Sequence, residues 1–494
     1  MLQFSKYLRP ALVVLACVLP VYLWLTPHSY WVDEVWTASM MQESWSGLVN
    51  NWFKDDVHPP LYFILLRLWA FAFGNGEYAL RSFSLLGYLG AMAIYYRYAR
   101  TLSWPAFAIS LLMMAAPVNL YYAAEARTYG FMFFITTWLY WPLYFNPRFT
   151  RLTYVKITIL SLTHLFGTLL AGLTLGIFWL SSRGKPTLQP HQQVRLLPAL
   201  LTMLPVGLFL AWMLLYGRLL HYGGNAFWFN AGPFKGIREL LYTLLPFGYL
   251  PMWGKALTVA LLALLACPMA ISQHPYGRRL VIVLLAFAGI MFASHLKFKW
   301  LIPRYLLAAL PLAALLAGQA LGQLRTLPWP RLNTLRYPAF LALLALALVF
   351  WFKEARLQTK LRLQPVQNLV AQAHYAASLN APIYHVMPGP KYNAVPPYIV
   401  ERLHSYYLHR FYPQNPPLKV IQWADVPRLQ PPFALLCIHG HTQEYTDSLP
   451  PRFAALATKK RFSKKFSSVL VIHVPDTNTP LPISNQPALN PQKN

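Results

Sequence analysis

Acid is what this chain lacks. Fourteen Asp and Glu stand among 494 residues, against 42 Lys and Arg. Charged residues of both signs make up 11% of the sequence, where soluble domains carry about 25%. A water-facing surface cannot be covered from so small a stock. With 56% hydrophobic residues, the balance defines a multi-span membrane protein. Cysteine is also scarce. Cys17 and Cys267 lie in apolar runs and Cys437 near the C-terminus, which excludes a disulfide framework. Blocks of basic residues are missing too. The net charge of +28 is spread over short loops, which points to positive-inside topology and lipid headgroups and excludes nucleic acid as a partner. No internal repeat is visible.

The apolar runs order the chain. Lys6 and Arg9 precede a run to Leu25 that has no small-residue cleavage site. Residues 10–26 therefore read as an anchor whose N-terminus is cytoplasmic. Residues 61–73 are too short to span, since about 20 residues are needed. They read as a helix at the outer interface, opened by Pro59 and Pro60. Spans are expected at 78–100, 105–119 and 129–146. The run 154–182 is long for one helix and short for two. Arg148 and Arg151 before it, and Arg183, Lys185 and Arg195 after it, all favour the inside, so two short spans meeting near Thr163-His164 are expected. Further spans fall at 197–217, 256–272, 280–296, 305–322 and 337–352. The expectation is an all-α polytopic membrane domain over 1–352 with 11 transmembrane helices, and with interfacial helices in a first outer loop at 28–76.

Beyond residue 352 the apolar runs shorten. Segments 381–386, 433–438 and 468–474 read as short buried strands, and 396–410 as a helix. Residues 353–475 are expected to form a small α/β extracytoplasmic domain. Residues 476–494, rich in Pro and Asn, are expected to be disordered. The seven histidines of this region are irregularly spaced and lack acidic companions, the pattern of surface or core residues.

The scarce acid is concentrated in one place. Asp33, Glu34, Glu43, Asp55 and Asp56 all fall in the first outer loop. Adjacent helical residues point about 100° apart, so of Asp33 and Glu34 one can face a substrate while the other binds structure, such as a basic side chain. A carboxylate at the bilayer edge is partly desolvated, which favours its use as a general base. Cations stand at the end of that loop, at His58, and on other outer loops, at Arg127, Lys297, Lys299 and Arg304. They could hold an anionic headgroup while a carboxylate takes a proton from an acceptor. Without that complement, the acids read as the solvated face of a loop.

Five motifs in order carry a resemblance: Asp33-Glu34, His58-Pro-Pro-Leu-Tyr-Phe, Glu77-Tyr-Ala-Leu-Arg81, Glu125-Ala-Arg127-Thr-Tyr129 and Pro303-Arg304-Tyr305. Over roughly residues 28–320 the chain resembles the bacterial GT-C glycosyltransferases of the protein mannosyltransferase and aminoarabinose transferase type. The resemblance implies inverting transfer of a sugar from a polyprenyl-phosphate donor to an acceptor hydroxyl outside the cytoplasmic membrane. It implies Asp33 as base, with Glu34 orienting it or contacting the acceptor. Arg304 would bind the donor phosphate, with His58, Arg127 and Lys299 behind it. Glu77 and Arg81 read equally as an i,i+4 ion pair, and Glu125 and Tyr305 are candidates for structure or substrate. The chemistry needs no metal, although Asp55 and Asp56 leave a divalent-cation site (Mg or Mn) open. The acceptor could be a glycan, a lipid or a protein. A lipid-linked-sugar flippase or transporter, a non-catalytic scaffold and a polysaccharide ligase are the competing readings. The first would place ionisable residues at the bilayer midplane, whereas here they gather at span ends. If Asp33 faces Arg304 at the outer leaflet, transfer is favoured.

Overall fold

The computed structural model describes residues 2–26, 29–55, 58–182, 194–215, 274, 276–298 and 303–324, and shorter stretches between 345 and 472. The chain divides into two compact units, Met1–Val366 and Gln367–Asn494.

The first unit is helical. Helix α1 (Leu2–Leu25) is followed by three helices in the segment expected to form the first outer loop, α2 (Val32–Gln42), α3 (Trp45–Asp55) and α4 (Leu61–Phe73). At 1.5 Å per residue α4 is about 20 Å long, short of a bilayer core of about 30 Å. It buries Tyr62, Phe63, Leu66 and Ala70 and leaves Leu68, Phe71 and Phe73 exposed, as a helix lying on its side in the interface would. Gly74 ends it at φ +87°, a left-handed conformation that glycine adopts without a Cβ clash.

Helices α5 (Glu77–Ala99) and α8 (Tyr129–Phe145) pack backbone to backbone. A Cβ on Gly87 would stand 2.8 Å from the Gly130 carbonyl oxygen, and one on Gly130 would strike the Ser84 carbonyl. The two glycines let the backbones touch, which is how helices gain packing where lipid offers no hydrophobic drive. Between them lie α6 (Trp104–Met114) and α7 (Pro117–Ala123), bent by 49°. The single span expected at 105–119 is therefore broken. Pro117 has no N–H to continue the ladder of the preceding turn.

Two helices occupy the ambiguous run, α9 (Arg151–Ser161) and α10 (Leu165–Ser182), with the Thr163-His164 turn between them. Next come α11 (Leu196–Leu215), α12 (Gly277–Phe298), α13 (Pro303–Leu306) and α14 (Leu310–Leu324). The span expected over 305–322 is thus interrupted between α13 and α14. Among the described residues four helices are long and apolar enough to cross a membrane, and the bent α6–α7 pair makes a fifth. Leu197, Leu200, Leu204, Leu208 and Leu215 of α11 are exposed, as lipid-facing side chains are. The expected span at 256–272 and most of 337–352 lie outside the described residues. Polar tethers cross the apolar seams: Trp141 Nε1 donates to the Pro311 carbonyl (3.2 Å) and Trp351 Nε1 to the Ala115 carbonyl (2.8 Å).

The second unit holds α15 (Leu369–Ser378) and five strands: β1 (Ile383–Val386), β2 (Lys419–Ile421), β3 (Phe433–Ile438), β4 (Ala457–Arg461) and β5 (Ser467–Ile472). The sheet order is β2-β1-β3-β5-β4. The first three strands run parallel, and β5 and β4 add antiparallel pairs. Val426, Phe433, Leu435, Phe453 and Ile472 form its core. Of the helix expected at 396–410, residues 405–411 are helical and the earlier part lies outside the described residues. So does the expected tail at 476–494.

Candidate active site

The site is built on the first turn of α2, where Asp33 and Glu34 complement the helix dipole. Glu34 is fully buried. Its carboxylate takes two hydrogen bonds from Arg81 of α5, from Nε at 2.8 Å and from a terminal nitrogen at 2.7 Å. It also accepts the Ala126 N–H at 2.9 Å and the Trp31 N–H at 3.4 Å. Arg81 is 2% exposed and lies over the Tyr30 ring at 4.9 Å. One carboxylate thus ties the start of α2, the face of α5 and the 124–128 turn together. Arg81 turns to Glu34, and its i,i+4 neighbour Glu77 sits in the first turn of α5.

Asp33 points the other way. Its Oδ2 meets Arg304 of α13 at 3.0 Å, and the two side chains are 27% and 13% exposed. The Arg304 guanidinium lies 5.1 Å from the Trp31 ring centre and 5.5 Å from that of Tyr305. Burial opposes the charge on Arg304, but Tyr129 and Asp33 outweigh it and hold its pKa above the ordinary value. Arg127 donates to the Asp33 carbonyl at 3.2 Å and to the Thr37 hydroxyl at 3.0 Å. Its own carbonyl accepts from Ser84 at 2.6 Å. One terminal nitrogen of Arg127 is therefore committed to holding α2.

Behind this pair, His58 and His164 stack at 4.1 Å. His58 immediately precedes the two prolines that open α4, and the Leu61 N–H donates to the Leu162 carbonyl (3.2 Å), which docks α4 on the α9–α10 turn. His164 is fully buried. Burial first, then the nearby His58, Arg127 and Arg304, push its pKa well below the usual histidine range. The imidazole is therefore neutral at pH 7. Its Nδ1 accepts the Phe166 N–H at 3.2 Å, which leaves the proton on Nε2.

The structure thus gathers Asp33, Glu34, Arg81, Arg127, Arg304 and Tyr305 at one place, with His58 joined to it through His164. Glu125 is buried beside Ala126. Asp56 and Lys299, and the side chain of Asp55, lie outside the described residues. Among the described residues no three His, Cys, Asp or Glu side chains converge on a metal position. His164, Thr37 and Trp31 did not stand out in the sequence as site residues. The available signal was a histidine at the apex of an otherwise apolar helical hairpin, where an ionisable group is functional by default.

Long helices packed around the short helices α2–α4, with a buried acidic turn facing arginines distant in sequence, define the fold. Solved examples with this fold are two crystal structures of ArnT from Cupriavidus metallidurans. The apo form matches at TM-score 0.54 and 15% identity over 94% of this chain and 97% of that one. The form bound to undecaprenyl phosphate matches at TM-score 0.53 and 16% identity over 95% and 99%. No family model matches the chain, and no curated protein does.

Proposed function

We propose that this protein transfers a sugar from a polyprenyl-phosphate donor to an acceptor hydroxyl on the outer face of the cytoplasmic membrane, with inversion. The observation that carries this reading is the Asp33–Arg304 pair at 3.0 Å, partly open to solvent and flanked by aromatic rings. It joins a base and a phosphate ligand from opposite ends of the membrane domain. The undecaprenyl phosphate bound by ArnT supports a polyprenyl-phosphate carrier.

The chemistry follows from the charges. Donor phosphate competes with Asp33 for Arg304. The acceptor oxygen attacks the anomeric carbon from the face opposite the phosphate. The bond from that carbon to the phosphate oxygen breaks, and its electron pair leaves with the polyprenyl phosphate. The acceptor proton passes to Asp33. Phosphate is a good leaving group, so Arg304, with His58 behind it, need only stabilise the charge that builds there. Glu34 and Arg127 position the α2 turn, and Lys299 adds positive charge at the same outer loop. The N-terminus is cytoplasmic in this scheme and the C-terminal unit extracytoplasmic. Purified protein incubated with radiolabelled polyprenyl-phosphate sugars and with lipid, glycan and protein acceptors should transfer from one donor class. Binding without transfer to any acceptor would instead identify a carrier.

A further inference from the structure

Three donor atoms around the Asp33–Arg304 pair are buried with no hydrogen-bond partner among the described residues: Arg304 Nε, Trp31 Nε1 and His164 Nε2. An unsatisfied buried donor costs about 1–3 kcal/mol, so such groups are few in native proteins and call for an explanation. Three around one ion pair form a set. The His164 atom is the most informative. The ring is completely buried, its Nδ1 is used by the Phe166 N–H at 3.2 Å, and its face is covered by His58 at 4.1 Å. The edge carrying Nε2 is left as a neutral donor in a field made positive by His58, Arg127 and Arg304. Tyr129 lies 6.0 Å away, centre to centre. An uncharged donor among cations suits an anionic oxygen. It adds a hydrogen bond without adding another repelling charge to a crowded cluster.

We propose that His164, at the α9–α10 turn, is a ligand-binding residue that donates its Nε2–H to a phosphate or phosphodiester oxygen held by Arg304. This rests on the proposed donor class and adds a residue to its recognition. The stack with His58 fixes the ring plane, and the Phe166 N–H fixes the tautomer. Both are needed for a fixed donor direction. Arg304 supplies charge and His164 supplies geometry.

The test measures binding rather than transfer. Full-length protein in nanodiscs is titrated with undecaprenyl phosphate, with undecaprenol of the same length, and with inorganic phosphate as competitor. His164→Phe keeps the ring stack and the volume but removes the donor. It should weaken undecaprenyl phosphate binding roughly ten- to hundredfold, the value of a buried hydrogen bond to a charged group. Undecaprenol binding should not change. His164→Gln restores an N–H near the Nε2 position and should recover most of the affinity, whereas the shorter His164→Asn should not. That second pair of variants keeps the test valid if the Phe variant fails to fold. Competition by inorganic phosphate would assign the site to phosphate in general. Its absence would assign it to the lipid-linked diester or monoester. Equal binding by wild type, Phe and Asn variants overturns the inference, as does an equal loss for the phosphate and the alcohol. If wild type binds undecaprenyl phosphate and His164 variants do too, only this inference falls. If wild type binds no polyprenyl phosphate, the proposed function falls with it.

Discussion

Removing the charge from Glu34 should damage stability and activity together, because Glu34 is buried against Arg81 right beside Asp33. Glu34→Gln keeps the shape and still accepts the Ala126 N–H. It takes the facing carboxylate charge away from Arg81, which is 2% exposed. Breaking a buried ion pair by removing one partner costs about 3–5 kcal/mol. Arg81→Met should cost a similar amount by stranding the carboxylate. The double variant Glu34→Gln/Arg81→Met removes both charges and should be more stable than either single variant, because replacing a whole buried pair by neutral groups is often close to neutral. The assay is thermal and denaturant unfolding of the detergent-purified protein for all four members of the cycle, with transfer measured in parallel. Transfer should fall in both singles, since Glu34 and Arg127 help hold the turn that carries Asp33. Single variants as stable as wild type, or a double variant that is merely the sum of the two, would refute the reasoning.

Other outcomes are expected. Gly130→Ala should destabilise by about 1–3 kcal/mol, because its Cβ meets the Ser84 backbone and overpacking is felt at that scale. Gly176→Ala, where nothing lies within 4 Å, should be neutral or slightly stabilising in the same unfolding assay. His164 is held neutral by folding, so the unfolded chain takes up a proton first as pH drops through about 6.5. Stability should therefore fall below that pH, and the melting temperature of His164→Phe should depend less on pH than that of wild type. Arg304→Lys should bind polyprenyl phosphate more weakly, since it keeps charge but loses the planar stack on Trp31 and Tyr305. Chelation by EDTA should leave the transfer rate unchanged. Loss restored by Mg or Mn would assign a role to Asp55 and Asp56.

Part of this site is legible in residue types. Asp33 and Glu34 are neighbours on a helix, so they had to diverge, and one takes Arg304 while the other takes Arg81. Which one does which depends on the docking of α2, and that is set by tertiary contacts no spacing encodes. Arg81 binds Glu34, a partner 47 residues away in sequence that no helical interval announces. The break at 162–164 is expected from charge, because Arg151 and the basic residues after Ser182 both favour the cytoplasmic side. The bend between α6 and α7 is announced by Pro117, but a hydropathy window reads through it. Arg127 looks like a phosphate ligand by composition. That one of its terminal nitrogens also holds the Asp33 carbonyl and Thr37 could not be read from spacing. His164 was hidden because a single histidine in an apolar run looks like core. Only its tautomer, its stack and its orphaned Nε2 distinguish it.

The central claim is that Asp33 takes the acceptor proton while Arg304 holds the leaving phosphate. It is tested most directly by Asp33→Asn, assayed in reconstituted membranes with the donor sugar that wild type uses. The expected result is loss of transfer with the protein folded, inserted and still binding polyprenyl phosphate. Transfer by Asp33→Asn at a rate near that of wild type would contradict the account.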